Sequence, residues 1–339
     1  MRARKGGDWL TTEHLLGSEY DYDANDNRLH LYEIDANNNR TATETYAYDE
    51  LSRLTSVTYK DNFTQTYTFD KVGNRLTKTE SGNTTTYTYN SVNELTSSSE
   101  GSYTYDANGN TLTDAQGRSY VWDQQNRLKQ VTKNGVTTTF TYRADGLRAS
   151  KTVNEVTTHY VYDGQTVVGE IRSDGTSSWY TPGPSGYISR TDLDNQENVT
   201  NKEWFVYDGL GSCRAMVKPN AQGTEAVLVA RYDYDVYGKV RTQSGSSSNR
   251  FKYVAAIGHP TDEESGLIYM RARYYEPTTG RFVSGDPGMD GVNWYVYAVD
   301  NPVNMVDNNL FLNPYGRHLA IAGLCRGCRS ASTIISERR

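Results

Sequence analysis

The chain has 339 residues, only 36% of them hydrophobic, and 28 are tyrosine, so any core it buries is built largely from rings that carry a hydroxyl. A formal net charge of −6 leaves no broad basic face, which argues against nucleic acid as a partner. No apolar stretch approaches the ~18 residues of a membrane span, and the basic start Met1-Arg2-Ala3-Arg4-Lys5 runs into Gly6-Gly7-Asp8-Trp9 with no apolar region of a signal peptide.

After a lead-in over residues 1–19, one phrase keeps returning. It reads Tyr46-x-Tyr48-Asp49, then Tyr67-x-Phe69-Asp70-x-x-Gly73-Asn74-Arg75-Leu76, Tyr87-x-Tyr89-Asn90 and Tyr103-x-Tyr105-Asp106-x-x-Gly109-Asn110. It recurs at Tyr120-x-Trp122-Asp123, Phe140-x-Tyr142 and Tyr160-x-Tyr162-Asp163-Gly164, with looser copies at Phe205-x-Tyr207-Asp208-Gly209 and Tyr232-x-Tyr234-Asp235. Within a unit, aromatic and Thr residues alternate, as in Thr66-Tyr67-Thr68-Phe69. A period of two in strong strand formers puts rings on one face and hydroxyls on the other. Asp then caps a turn, Gly or Asn takes its positive φ, and a short second strand leaves. Each unit of roughly 20 residues is thus a hairpin, and successive hairpins are expected to pair into one antiparallel strip. The fold class is all-β: a curled strip with a thin or wet inner face. The first copy, Tyr20 to Leu29, opens in mid-array without the polar cap that a repeat array needs. The chain therefore reads as the C-terminal piece of something longer.

The strip is expected to occupy residues 20–250, with a break at about 173–202. There Pro182-Gly183-Pro184 and the polar run Asp192–Asn201 read as a loop or crossover, because proline donates nothing to a ladder. Strands resume at Glu203 and run to Val240. Thr242–Ser248 is a Ser/Gly connection. A dense block of different character, residues 251–310, follows, and a tail of 311–339 with five Arg and one Glu ends the chain.

The repeats resemble the YD repeats of bacterial Rhs proteins, of the C components of insecticidal toxin complexes and of animal teneurins. From Tyr207 onward the likeness sharpens. Tyr207-Asp208-Gly209-Leu210-Gly211-Ser212, Arg231-Tyr232-Asp233-Tyr234-Asp235-x-Tyr237-Gly238 and the run from Gly266 through Arg271-Ala272-Arg273-Tyr274-Tyr275-Glu276-Pro277 to Gly280-Arg281-Phe282 are similar to the Rhs-associated core. So are Asp286-Pro287-Gly288, Asn293-x-Tyr295-x-Tyr297 and Asn301-Pro302. The resemblance implies a β-strip wound into a hollow shell that holds a C-terminal toxin inert, with the core block plugging one end. The partner it implies is the chain's own C-terminal toxin or the rest of a longer Rhs chain. It also implies a secreted or cell-surface protein.

The same resemblance implies autoproteolysis of aspartyl type. The counterparts here are Asp286 and Asp307, with Asp290 and Asp300 nearby, Arg281 as charge stabiliser, and the bond after Leu310 as the one cut. Two close carboxylates can share a proton, one acting as base toward water and the other as acid toward the leaving amide. This chain departs from the pattern at the cut, reading Asp307-Asn308-Asn309-Leu310 without Pro or Gly. The plain reading beside it makes Asp286-Pro287-Gly288 a turn and Asp307 a loop residue. The tail, at 29 residues Phe311–Arg339, is too short to fold alone and reads as a truncated or degenerate effector region.

Other candidates carry less. Cys325 and Cys328 with His318 fall short of the four ligands zinc wants, Cys213 reads as core filling, and His259 as a structural loop histidine. No metal or cofactor is expected. The alternative function is a carbohydrate-binding or adhesive repeat protein that meets cell-surface glycans on exposed rings. The repeat stretch is expected to be too short to close and to form an open arc, whose free edges leave an edge-strand dimer available.

Overall fold

The computed structural model describes residues 2–4, 14–35, 37 and 39–307. Among them every long element is a strand. A ten-stranded sheet spans Arg2–Ser102 and a fourteen-stranded sheet spans Thr104–Gly245, each strand paired antiparallel with the next in sequence. A separate four-stranded meander covers Thr261–Phe282.

The repeat phrase builds one turn over and over. The Asp70 Oδ1 accepts the N–H groups of Val72 and Asn74 at 2.9 and 2.8 Å, and its Oδ2 accepts the Asn74 amide at 2.9 Å. The Asp70 N–H donates to the Asn74 carbonyl, and Gly73 sits at φ +84°. That is a type I turn followed by a left-handed residue, which suits the twist of a hairpin. Asp23, Asp49, Asp106 and Asp123 make the same pair of backbone bonds. The ladder shifts register at the aromatic just before each such Asp, as between Thr68 and Phe69. Two-residue turns with positive φ at both positions, Ser81-Gly82 and Asn134-Gly135, close the opposite edge.

The two aromatics of each phrase divide the labour. The first, such as Tyr46, Tyr67, Tyr120, Phe140 or Tyr160, is buried on the inner face, where a side chain of this size contributes roughly 2 kcal/mol. The second reaches back to the previous hairpin with its polar tip. Tyr48 donates to the Arg28 carbonyl at 2.8 Å, Tyr89 to Arg75 at 2.8 Å, Tyr142 to Leu128 at 2.6 Å and Tyr162 to Arg148 at 2.8 Å. Trp122 does the same to Thr111 with its indole N–H at 2.7 Å. Leucine or valine could pack there but could not make this bond. On the outer face, Thr hydroxyls pair across strands, Thr68 with Thr77 at 2.7 Å and Thr132 with Thr137 at 2.9 Å.

Two expectations are corrected. The strip does not break at 173–202: strands Ser177–Gly183 and Gly186–Leu193 pair with each other and with their neighbours. Pro182 is accommodated at a register shift between Thr181 and Pro182, where the missing N–H is not needed, and Pro184-Ser185 forms the turn. Likewise Thr242–Gly245 belongs to a strand, Val240–Gly245, rather than to a connection.

The arc also closes, where an open one was expected. Tyr20 Oη accepts the Gly209 N–H at 2.9 Å, Arg28 donates to the Gly209 carbonyl at 2.9 Å, and the Val236 N–H donates to Tyr59 Oη at 3.1 Å. Arg231 pairs with Glu33, and Arg241 with Asp61 at 2.8 Å. The first hairpins thus meet the last.

Residues 251–307 fill the space inside. Phe251, Ile268, Tyr275 and Tyr297 pack against Tyr180, Tyr187, Phe205 and Tyr232 of the strip. Leu267, Tyr269, Tyr274 and Val283 pack against Tyr120, Leu128, Val131 and Phe140. The inner face expected to be thin or wet is therefore a packed core. Buried ion pairs pin the block: Arg148 to Asp262 at 2.6 Å, Lys151 to Asp262 at 3.1 Å and Arg118 to Glu276 at 3.3 Å.

Candidate functional site

The meander strand Arg273–Glu276 lies inside the core, buried on both faces. Its first residue sends a guanidinium into the loop that follows the meander. Arg273 Nη2 is 3.0 Å from Asp307 Oδ2 and 3.6 Å from Asp286 Oδ2. Its Nη1 donates to the Trp294 carbonyl at 2.9 Å, and its plane lies 3.6 Å over the Phe282 ring. Burial pulls the Arg273 guanidinium below its ordinary pKa, against the opposite pull of Asp307 and Asp286.

Asp286 and Asp307, 21 positions apart in the chain, are therefore brought together on one nitrogen. Asp307 is 3% exposed at its side chain and Asp286 12%. The turn reading of Asp286 holds as well. Its Oδ1 accepts the Gly288 N–H at 2.8 Å and its carbonyl accepts the Met289 N–H at 2.9 Å. One carboxylate oxygen serves the turn while the other faces Arg273.

Arg281, the expected charge stabiliser, is placed elsewhere. Its Nη2 donates to the Asn93 carbonyl at 2.6 Å and its Nη1 to Asn74 Oδ1 at 3.2 Å, between the rings of Tyr89 and Tyr295. Its guanidinium reaches from the inner block into the strip wall, and Arg273 takes the position beside the carboxylates. The signal for Arg273 was in the sequence: an arginine inside Tyr269-Met270-Arg271-Ala272-Arg273-Tyr274-Tyr275, where a strand buried on both faces admits a cation only with a partner.

Asp300 lies toward Arg281, next to the Gly73 turn. Burial pushes its carboxyl up to about 7, in spite of Arg75, Arg281 and Arg53. Asp290 is exposed. His259 is buried, its Nδ1 makes no hydrogen bond, and burial together with Arg271 holds its pKa well below the ordinary value. Cys213 is fully buried against Met216, and burial pushes its thiol up. The bond after Leu310 and the tail with His318, Cys325 and Cys328 lie outside the described residues. The repeat's first rings point inward, so they do not form the exposed aromatic row that the carbohydrate reading needs.

Residues 10–303 match the family model described as Teneurin YD-shell. Among curated proteins, the chain is 37% identical over 279 residues to the tRNA3(Ser)-specific nuclease WapA of Bacillus spizizenii, covering 77% of this chain and 11% of that protein. It is 25% identical over 293 residues to toxin subunit YenC2 of Yersinia entomophaga, covering 73% of this chain and 29% of that protein. It thus spans only a minor part of either. Among solved structures, the crystal structure of TcdB2-TccC3-Cdc42 shares the fold with a TM-score of 0.71 at 22% identity, covering 88% of this chain and 17% of that one.

Proposed function

Because the chain belongs to the teneurin YD-shell family, we propose that it forms the closing stretch of an Rhs-type toxin shell, whose interior holds a C-terminal payload of its own chain or of a longer one. The role is structural. The observation that carries it is the closed strip with residues 251–307 packed into its interior, sealing that end with apolar rings and buried ion pairs. Release from the producing cell, into the medium or onto its surface, belongs to the same reading. Among the described residues no helix is long and apolar enough to cross a membrane.

The proposal extends to one chemical step, hydrolysis of the bond after Leu310 by Asp286 and Asp307. One carboxylate takes a proton from water as its oxygen adds to the Leu310 carbonyl carbon. The other, protonated as the holder of the pair's shared proton, gives it to the Phe311 nitrogen as the bond breaks. Arg273, rather than Arg281, orients the pair. The convergence of both carboxylates on Arg273, with Asp307 three residues before Leu310, supports this assignment.

Intact mass of the purified chain, beside an Asp286→Asn version, tests it. A loss matching Phe311–Arg339 in the wild type alone is the expected result, with the released piece co-eluting on gel filtration if the shell retains it. Full-length mass in both chains removes the cleavage step and leaves the shell.

A further inference from the structure

The ladder is not equally strong along the strip. Around strands such as Val156–Asp163 it is continuous, pairing from Thr158 with Arg172 to Asp163 with Thr166. Near residue 103 it thins. Gly101 and Ser102 pair back to Ser98 and Ser97, whereas Thr104 and Tyr105 pair forward to Thr113 and Thr111. The next step is held only by Thr113 with Ser119. The two large sheets therefore share no strand, and Tyr103, between them, still pairs back through its N–H to the Thr96 carbonyl of the first sheet. Behind it the buried apolar side chains reduce to Tyr87, Leu95 and Tyr103. A cavity of about 20 Å³ remains there, walled by Leu95, Tyr103 and Phe282 and by the charged Asp114, Glu276 and Arg281.

Residues 281–295 of the inner block lie across this thin place and grip both sides of it. Toward the first sheet, Arg281 holds the Asn93 carbonyl, Asn293 donates to Asn74 Oδ1 at 2.8 Å, and Asn93 donates to the Val292 carbonyl at 3.0 Å. Toward the second, the Val283 carbonyl accepts the Thr111 N–H at 2.9 Å and Tyr295 donates to the Gly109 carbonyl at 2.8 Å. The same loop carries Asp286.

We propose that the strip is built to part along residues 101–105, and that the Asp286 loop is the strap that holds this seam shut. Few ladder bonds, a small apolar cluster and a cavity make the seam the lowest-stability part of the wall. The strap supplies from inside the bonds the ladder lacks there. Any rearrangement of the loop, including one coupled to cleavage, then reaches the wall directly. The seam and strap stand on their own geometry; only their use in payload release rests on the shell reading.

Hydrogen exchange followed by mass spectrometry on the full chain tests this without any cleavage readout. In the wild type, peptides within 95–119 are expected to exchange faster than those within 148–172. Arg281→Gln should speed exchange within 95–119 by about ten-fold or more, since it breaks a charge-assisted bond, and leave 148–172 unchanged. Tyr295→Phe, which deletes one hydroxyl and keeps the ring, should do the same to a smaller degree and carries the test alone if the first variant fails to fold. Equal protection of the two regions in the wild type, or a uniform rise along the chain in the variants, overturns the proposal.

Discussion

Asp262 offers the sharpest test of how the inner block is held. Its Oδ2 lies 2.6 Å from Arg148 Nη1 and its Oδ1 3.1 Å from Lys151 Nζ, and all three side chains are buried to 3% exposure or less. Burial raises the Asp262 pKa, but Arg148, Lys151 and Arg250 outweigh it and hold the carboxyl below its ordinary range. Asp262→Asn keeps the shape and removes the charge, stranding the Arg148 guanidinium among Phe140, Tyr160 and Tyr269. Lys151 keeps Glu264 at 2.8 Å, so the stranded cation is chiefly Arg148. Breaking one partner of a buried pair costs about 3–5 kcal/mol, a large share of the 5–15 kcal/mol typical of a folded chain. The melting temperature should fall on the order of 10 °C, measured by scanning calorimetry or by near-ultraviolet circular dichroism of the buried tyrosines. Because the Asp262 pKa is depressed on folding, its contribution is present at neutral pH and lost as pH falls through the folded value, so the two proteins should converge in acid. A shift under about 2 °C at pH 7 would refute the reasoning and assign the docking to the apolar contacts of the block instead.

Glu44 gives the opposite pH dependence. Burial pushes its carboxyl up from 4.5 to about 7, in spite of Arg214 and the hydroxyl of Tyr46. Its share of stability is therefore complete below pH 4.5 and is lost as pH rises through 7, by about 3 kcal/mol over that span. Glu44→Gln should flatten the decline in melting temperature between pH 5 and 8. Gly109 and Gly117 occupy the same turn position at φ +79° and +74°, yet a Cβ at Gly109 would stand 2.5 Å from Tyr295 Oη whereas one at Gly117 meets nothing within 4 Å. Chemical denaturation should therefore show Gly117→Ala costing about 1 kcal/mol for the backbone alone, and Gly109→Ala distinctly more.

The repeat was legible because it is local chemistry. The Asp-x-x-Gly-Asn turn needs nothing beyond five consecutive residues, and the alternation of Thr with rings fixes which face turns inward. Proline misled at Pro182, because a sequence shows the missing donor but not the register shift that makes the donor unnecessary. Closure of the arc was hidden for a different reason. It rests on Tyr20 with Gly209 and Arg231 with Glu33, contacts about 200 positions apart that no period announces. Asp286 and Asp307 were legible through their motif, whereas Arg273 was obscured by Arg281, the arginine nearer in sequence to Asp286. In space the order reverses, because the meander brings Arg273 to the carboxylates while Arg281 points into the wall.

That reversal bears on when a cut at Leu310 could occur. Asp286 sits on an exposed-side turn and Asp307 at the far end of the inner block, and Arg273 joins them from a strand buried on both faces. The strand reaches its depth only when Tyr274 packs on Phe140 of the strip and Tyr275 on Tyr297 of the block itself. A chain still threading its hairpins together has both carboxylates but no fixed geometry between them, and a misplacement of about 1 Å costs such chemistry on the order of a hundred-fold. The candidate site in this sense depends on the docking of the inner block. Cleavage, where it occurs, would follow docking of the block on the strip.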